Sequence, residues 1–251
     1  MAENRIDEQD VLNFALNLEY LEAEFYTYAT TGKSITSFGV GIKGLATGTN
    51  PPEGSATVGG KQVSFPDNEL FIRDLATQIG SDERAHVVLL RGALGSSAAA
   101  MPNINLGALG FGFGDMNDFL RVARILEDIG VTAYAGAASL LKTPDIINAA
   151  AGLLGAEAEH AAAIRTQVAR LKIPTAAVDG VDLIPPPSGQ PRQALSIKVS
   201  DGLVAARTAG QVLYLAFGGK AGVKQGGFFP NGLNGSVGSS TEAAAASKVA
   251  A

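Results

Sequence analysis

The sequence predicts an all-α protein, a four-helix bundle with a long crossover between its second and third helices and an irregular carboxy-terminal extension. Three observations carry that expectation. Apolar residues recur at three- and four-residue spacing over four segments of helical length. The chain has 251 residues, of which 46% are hydrophobic and 17% charged, enough for one substantial core plus appendages. Both of its histidines sit three residues after a glutamate, in Glu83-Arg84-Ala85-His86 and Glu157-Ala158-Glu159-His160. A step of three on a helix sets a carboxylate and an imidazole on one face.

The first helix is expected from about Asp7 to Thr30, with Val11, Phe14, Ala15, Leu18, Leu21, Phe25 and Ala29 inward and Gly32 at its end. Residues 31–66 are rich in Gly and Pro and read as a long ordered loop or lid. The second helix is expected to start near Asp67, as N-cap after Pro66, and to bury Leu70, Ile72, Leu75, Ile79, Glu83, His86, Leu89 and Leu90. Residues 93–114 then form the crossover. The uncharged stretch 96–114 is not a membrane span, because Pro102, Asn103, Asn105 and four glycines would leave backbone groups unpaired in lipid. Asp115 caps the third helix, which runs to Leu141 and presents Ala123, Glu127, Val131 and Tyr134 on one face. The link Lys142-Thr143-Pro144 opens the fourth, with Thr143 as N-cap and Pro144 at the first helical position. Its buried face is expected to hold Ile147, Ala150, Leu153, Leu154, Glu157, His160, Ile164, Val168 and Leu171.

Residues 1–173 are thus assigned to the bundle, 174–237 to an extension packed on it, and 238–251, rich in Ser and Ala, to a disordered tail. Within the extension a short helix is expected over about Arg207–Phe217. The adjacent Phe228 and Phe229 should dock, and an apolar surface around Phe228 is compatible with a homo-oligomer.

Composition excludes several classes of function. A net charge of −5 and the lack of any basic run argue against nucleic acid and anionic membrane as partners. With no Cys, thiolate metal sites, disulfides and cysteine nucleophiles are absent. The amino terminus is polar and acidic with no hydrophobic signal region behind it, so the expected compartment is the cytoplasm.

The chemistry lies in the ligand order. Glu19 and Glu127 are each followed seven residues later by a tyrosine, Tyr26 and Tyr134, which two helical turns bring to the glutamate's face. The chain reads Glu-x6-Tyr, Glu-x2-His, Glu-x6-Tyr, Glu-x2-His. One Glu from each of two helices and Glu-x-x-His from each of the others is the ligand set of carboxylate bundles that hold two metal ions. The expected metal ligands are therefore Glu19, Glu83, His86, Glu127, Glu157 and His160, with Tyr26 and Tyr134 hydrogen-bonded to the carboxylates. On the first helix Glu22 competes with Glu19, because it shares the stripe of Leu18, Phe25 and Ala29; Glu24 is a further contender. Of Glu127 and Asp128, one is expected to point outward. The competing reading of the Glu-x-x-His pairs is surface salt bridging to Arg84 or Arg165. Carboxylate oxygens with one imidazole per ion suit two Fe or Mn ions, which react with dioxygen or peroxide.

The four-helix ligand order resembles the ferritin-like superfamily. The segments Leu18–Tyr26 and Leu126–Tyr134, and above all Ala206-Arg207-Thr208 through Gly226-Gly227-Phe228-Phe229-Pro230, are similar to its desiccation-related protein family. The resemblance implies the bundle fold and a stress-related role; the activity expected from the ligand chemistry, removal of reactive oxygen by an oxidase, peroxidase or catalase-like reaction, suits such a family. The alternative it leaves open is a non-catalytic structural or protective protein whose metal site is a scaffold.

Overall fold

A computed structural model describes residues 6–189 and 202–245. Four long helices form the bundle: α1 (Glu8–Thr31), α2 (Leu70–Leu94), α3 (Met116–Ala137) and α4 (Pro144–Arg170). The chain is all-α in architecture; among the described residues the one small sheet is two strands of two residues, β1 (Thr57–Val58) and β2 (Ile104–Asn105), paired in parallel.

Local chemistry sets the helix starts. Asp7 caps α1 in a capping box, accepting from the Asp10 N–H while the Asp10 carboxylate accepts from the Asp7 N–H. Asp115 caps α3 through the Asp118 N–H at 2.9 Å. Thr143 occupies the N-cap position of α4 but makes no side-chain cap; its hydroxyl instead donates to Glu8 at 2.6 Å, tying the starts of α1 and α4 together. The second helix departs from expectation too. Asp67–Glu69 form a 3-10 turn, and Asp67 does not cap α2, which begins at Leu70.

Helices α1 and α2 pack as one antiparallel pair: Asn13 near the start of α1 bonds the Ser97 carbonyl beyond the end of α2, and Arg84 bonds Thr27 late in α1. Helices α3 and α4 form the other, with Arg121 near the start of α3 bonded to the Pro174 carbonyl beyond α4. The crossover between the pairs is uncharged because it is inside: Ala98, Ala99, Ala100, Met101, Ile104 and Leu106 are buried. The loop at 31–66 is not a free lid. It pairs with the crossover through β1 and β2 and a bridge between Leu45 and Ala99, and it buries Ile35, Val40 and Val63.

Two helix faces differ from the pattern read in the sequence. On α2 the buried set is Ile72, Ala76, Ile79, Gly80, Glu83, His86, Val87, Leu90 and Leu94, leaving Leu70 and Leu89 exposed at 39% and 47%. On α4, Ile147 is 42% exposed and Ile146 is the residue packed on the core. Both helices carry adjacent apolar residues, so hydrophobicity alone does not fix the phase.

Beyond α4 the chain returns over the bundle. The expected short helix is α5 (Ala209–Ala216), capped by Thr208. Phe228 and Phe229 are buried, and the Phe228 backbone bonds both Ala216 and Asn105. Both rings thus dock on the chain as expected, with Phe228 beside Leu18, Leu21, Leu126 and Val212. Residues 238–245 differ from the disordered tail expected: Ser240 is 4% exposed and its hydroxyl bonds the Lys220 carbonyl at 2.8 Å. Residues 190–201 and 246–251, which include parts of the extension and tail, lie outside the described residues.

Candidate metal centre

Midway along the bundle each long helix turns acid and imidazole groups into the interior. Glu19, Glu22, Glu83, Glu127, Glu157, His86 and His160 are all buried, none above 8% exposed. Glu19, Glu83, His86 and Glu157 each offer an atom within 4.8 Å of the others', and Glu83, Glu127 and His160 form a second such group. All six residues expected as ligands therefore converge. The two rings lie 6.0 Å apart, centroid to centroid.

Glu83 belongs to both groups. Its Oε2 lies 3.3 Å from His86 Nδ1 and its Oε1 lies 3.0 Å from His160 Nδ1. One carboxylate thus faces two imidazoles with its two oxygens. His86 Nδ1 is also 3.2 Å from Glu19 Oε2, and His160 Nδ1 is 3.5 Å from Glu127 Oε2. The tyrosines cross over: the Tyr134 hydroxyl on α3 donates to Glu19 on α1, while Tyr26 on α1 stands beside Glu127 on α3 without a well-formed hydrogen bond.

Most of these ligand atoms lack a well-formed hydrogen bond among the described residues. Both oxygens of Glu83, Glu127 and Glu157, and His160 Nδ1, are buried without a hydrogen bond, although several lie at hydrogen-bonding distance from one another. Their atoms crowd around a shared centre, within 4.8 Å of one another in each group. Buried charge left in that state costs several kcal/mol per group, whereas a cation at the centre would use the lone pairs. The donor set, carboxylate oxygens with one imidazole in each group, suits a hard or borderline cation such as Fe or Mn.

Electrostatics point the same way. Burial pushes Glu83 up to about 7, helped by the charge on Glu19. Burial likewise holds Glu22 and Glu157 well above the ordinary carboxylate range, with neighbouring carboxylates adding to it. For Glu19, burial is outweighed by the His86 contacts, and the group sits below its usual value. Burial disfavours the charged histidines, but Glu19 and Glu83 lift His86 to about 10, and Glu127 and Glu83 lift His160 to about 11.

The rival arginines are engaged elsewhere. Arg84 donates to Thr27 and lies 4.6 Å over the Phe38 ring, and Arg165 donates to Asp128. Among the first-helix glutamates, Glu24 bonds Ser34 at 2.7 Å, away from the cluster. Glu22 stands at the cluster's edge, outside both convergent groups. The expectation that one of Glu127 and Asp128 faces outward fails, since Asp128 is 3% exposed. The extension covers it, and Asp128 accepts from both Arg124 and Arg165.

Two contributors escaped the sequence reading. Asp82 lies 3.4 Å from His160 Nε2, the nitrogen turned away from the cluster, and so orients the ring. Gly130 sits inside α3 facing Glu157: a Cβ there would come within 2.3 Å of Glu157 Oε2 and 3.4 Å of Glu22 Oε1. Glycine inside a helix costs about 1 kcal/mol relative to alanine, and here it makes room for two carboxylates. An adjoining cavity of about 150 Å³, lined almost wholly by apolar side chains, reaches Glu19, Glu22, Gly130 and Tyr134.

A bundle of this topology carrying a buried Glu-x-x-His pair on two of its helices defines a class, and residues 7–170 match the family model described as Ferritin-like domain. The chain belongs to the ferritin-like family. Within it, 173 aligned residues are 31% identical to the desiccation-related protein PCC13-62 of Craterostigma plantagineum, covering 62% of this chain and 51% of that protein. An alignment of 283 positions is 24% identical to the ferritin-like catalase Nec2 of Nesocodon mauritianus, covering 94% of this chain and 87% of that one. The chain thus spans about half the length of the first relative and most of the second. No helix among the described residues is long and apolar enough to cross a membrane.

Proposed function

We propose that the cluster holds two Fe or Mn ions and that the protein reacts with dioxygen or peroxide, removing reactive oxygen under stress. The observation that carries this reading is Glu83, whose two oxygens face two imidazoles while three neighbouring carboxylates converge on the same space. The name of the second relative, a ferritin-like catalase, supports the reaction class.

Such ions supply electron exchange with dioxygen or peroxide when bound. The chain's own residues do the rest. Glu83 would be shared between the two ions, Glu19, His86 and Glu157 would hold one, and Glu127 and His160 the other. The Tyr134 hydroxyl fixes Glu19, and Asp82 fixes His160, so carboxylate and ring keep their orientation. Four ionised carboxylates, those of Glu19, Glu83, Glu127 and Glu157, would neutralise two divalent cations.

The second reading is a scaffold in which the ions join the helices and nothing turns over; the complete burial of Glu83, Glu127 and Glu157 favours it. Peroxide consumption separates the two. Metal-loaded protein is expected to consume peroxide at least tenfold faster than a Glu127→Ala, His160→Ala variant, and equal rates would leave only the scaffold.

A further inference from the structure

The cavity beside the cluster is larger and drier than dioxygen or peroxide requires. It runs between the two helix pairs, where α2 and α4 stand apart, and its walls include Leu12, Ala15, Leu90, Ala133, Ala149 and Leu153. Leu89 and Asp145 lie at its exposed rim. Apart from Asp145 at the rim, its polar lining lies at the inner end, where Glu19, Glu22 and Tyr134 stand beside Gly130. Water gains little in such a space, because it needs two to four polar partners; an engineered apolar cavity of about 150 Å³ stays dry and takes up benzene.

The walls and the inner end together select an occupant. Apolar walls reward a hydrocarbon tail at about 25 cal/mol per Å² buried. A charged head is disfavoured: an anionic one would face Glu19 and Glu22, and a cationic one would shed its hydration while passing apolar walls. A small uncharged oxygen group, by contrast, would find a carboxyl group and a phenol to bond. We propose that this cavity binds an uncharged hydrocarbon chain of about six to eight carbons, a benzene-sized load, ending in one small oxygen function that lies against Glu19, Glu22 and Tyr134. It would be the organic partner of the metal centre. That role rests on the reading given above, whereas binding rests on the cavity itself.

Isothermal titration of the full-length, metal-loaded chain with 1-heptanol tests the assignment, with 1,7-heptanediol as the probe that is polar at both ends. Heptanol is expected to bind saturably, one per chain, at least tenfold more tightly than the diol. Filling the wall by Ala149→Trp, or by Ala150→Phe should the first variant not fold, is expected to weaken heptanol at least tenfold with the metal content unchanged. Absence of saturable heptanol binding, or equal binding to the filled variants, would overturn the proposal. Saturable heptanol binding by a chain that takes up no Fe or Mn when offered them would uphold the cavity site while the failed uptake sinks the metal reading, so the two fail separately.

Discussion

At the scale of single residues, the centre divides into groups that sequence spacing exposes and groups that only packing reveals. Glu83 with His86 and Glu157 with His160 are legible because three residues on a helix are neighbours in any helix. Choosing Glu19 over Glu22 is harder, since both are buried and separated by the same three-residue step; the choice depends on which one the facing helices approach. Gly130 and Asp82 are silent in the sequence because their meaning lies in a side chain on another helix. Gly130 yields a direct test. Gly130→Ala improves helix propensity by about 1 kcal/mol yet forces Glu157 from its place, so metal affinity is expected to fall at least tenfold by chelator competition. Unchanged affinity would show that Glu157 does not need that space.

At the scale of elements, the four helices were legible from periodicity, as was the inward face of α2 and α4 that carries the acids and imidazoles, whereas the edges of those faces were not. Val87, Val88 and Leu89 are equally apolar, as are Ile146 and Ile147, so the loops and the facing helices decide which one is covered. Bringing four acid-bearing helices together has a consequence for pH. Glu83, raised to about 7 by burial and by Glu19, and Glu22 and Glu157, raised by burial and by neighbouring carboxylates, keep protons in the ion-free fold that the unfolded chain has released. The stability they contribute is complete below their ordinary value of 4.5 and is lost as pH rises through the folded values. His86 and His160 act in the same direction: burial opposes their charge but the carboxylates prevail, so stabilisation present below 6.5 is lost as pH rises toward about 10 and 11. Glu19, whose burial is overcome by His86, contributes in the opposite sense. Ion binding needs the deprotonated groups and strengthens over the same range. The rise in Tm on adding Mn or Fe is therefore expected to grow from pH 5 to pH 8 in scanning calorimetry; a constant rise would contradict this electrostatic account.

At the scale of the whole molecule, the bundle is wrapped rather than bare. The loop at 31–66, the crossover and the segment 226–234 enclose α1, which buries Asn13 and Asn17 along with its apolar face. Asn17 and Asn234 exchange hydrogen bonds at 2.8 and 3.0 Å, 217 positions apart. On the other side a buried ionic network clasps the extension: Arg124 bonds Asp182 at 2.7 Å and the Ala176 carbonyl, Arg165 bonds Asp128 at 2.6 Å and the Leu183 carbonyl, and Arg207 bonds Asp179 and Thr132. Gly136 admits this segment, since a Cβ there would lie 1.9 Å from the Arg207 carbonyl oxygen. None of these pairings was legible in the sequence, because each joins residues far apart along the chain with no shared period. Asp128→Ala removes the carboxylate that Arg124 and Arg165 share, and stability to denaturant is expected to drop by about 3–5 kcal/mol; a loss below about 1 kcal/mol would show that the clasp is not structural.

The wrapped bundle is built around one claim, that its buried carboxylates and imidazoles hold a pair of metal ions. Elemental analysis of the native chain beside a His86→Ala, His160→Ala variant, with anomalous scattering to place the ions, tests it most directly. Two Fe or Mn ions per chain, less than about 4 Å apart and lost in the variant, are predicted. A native chain without ions, or a variant that keeps the full complement, would contradict it.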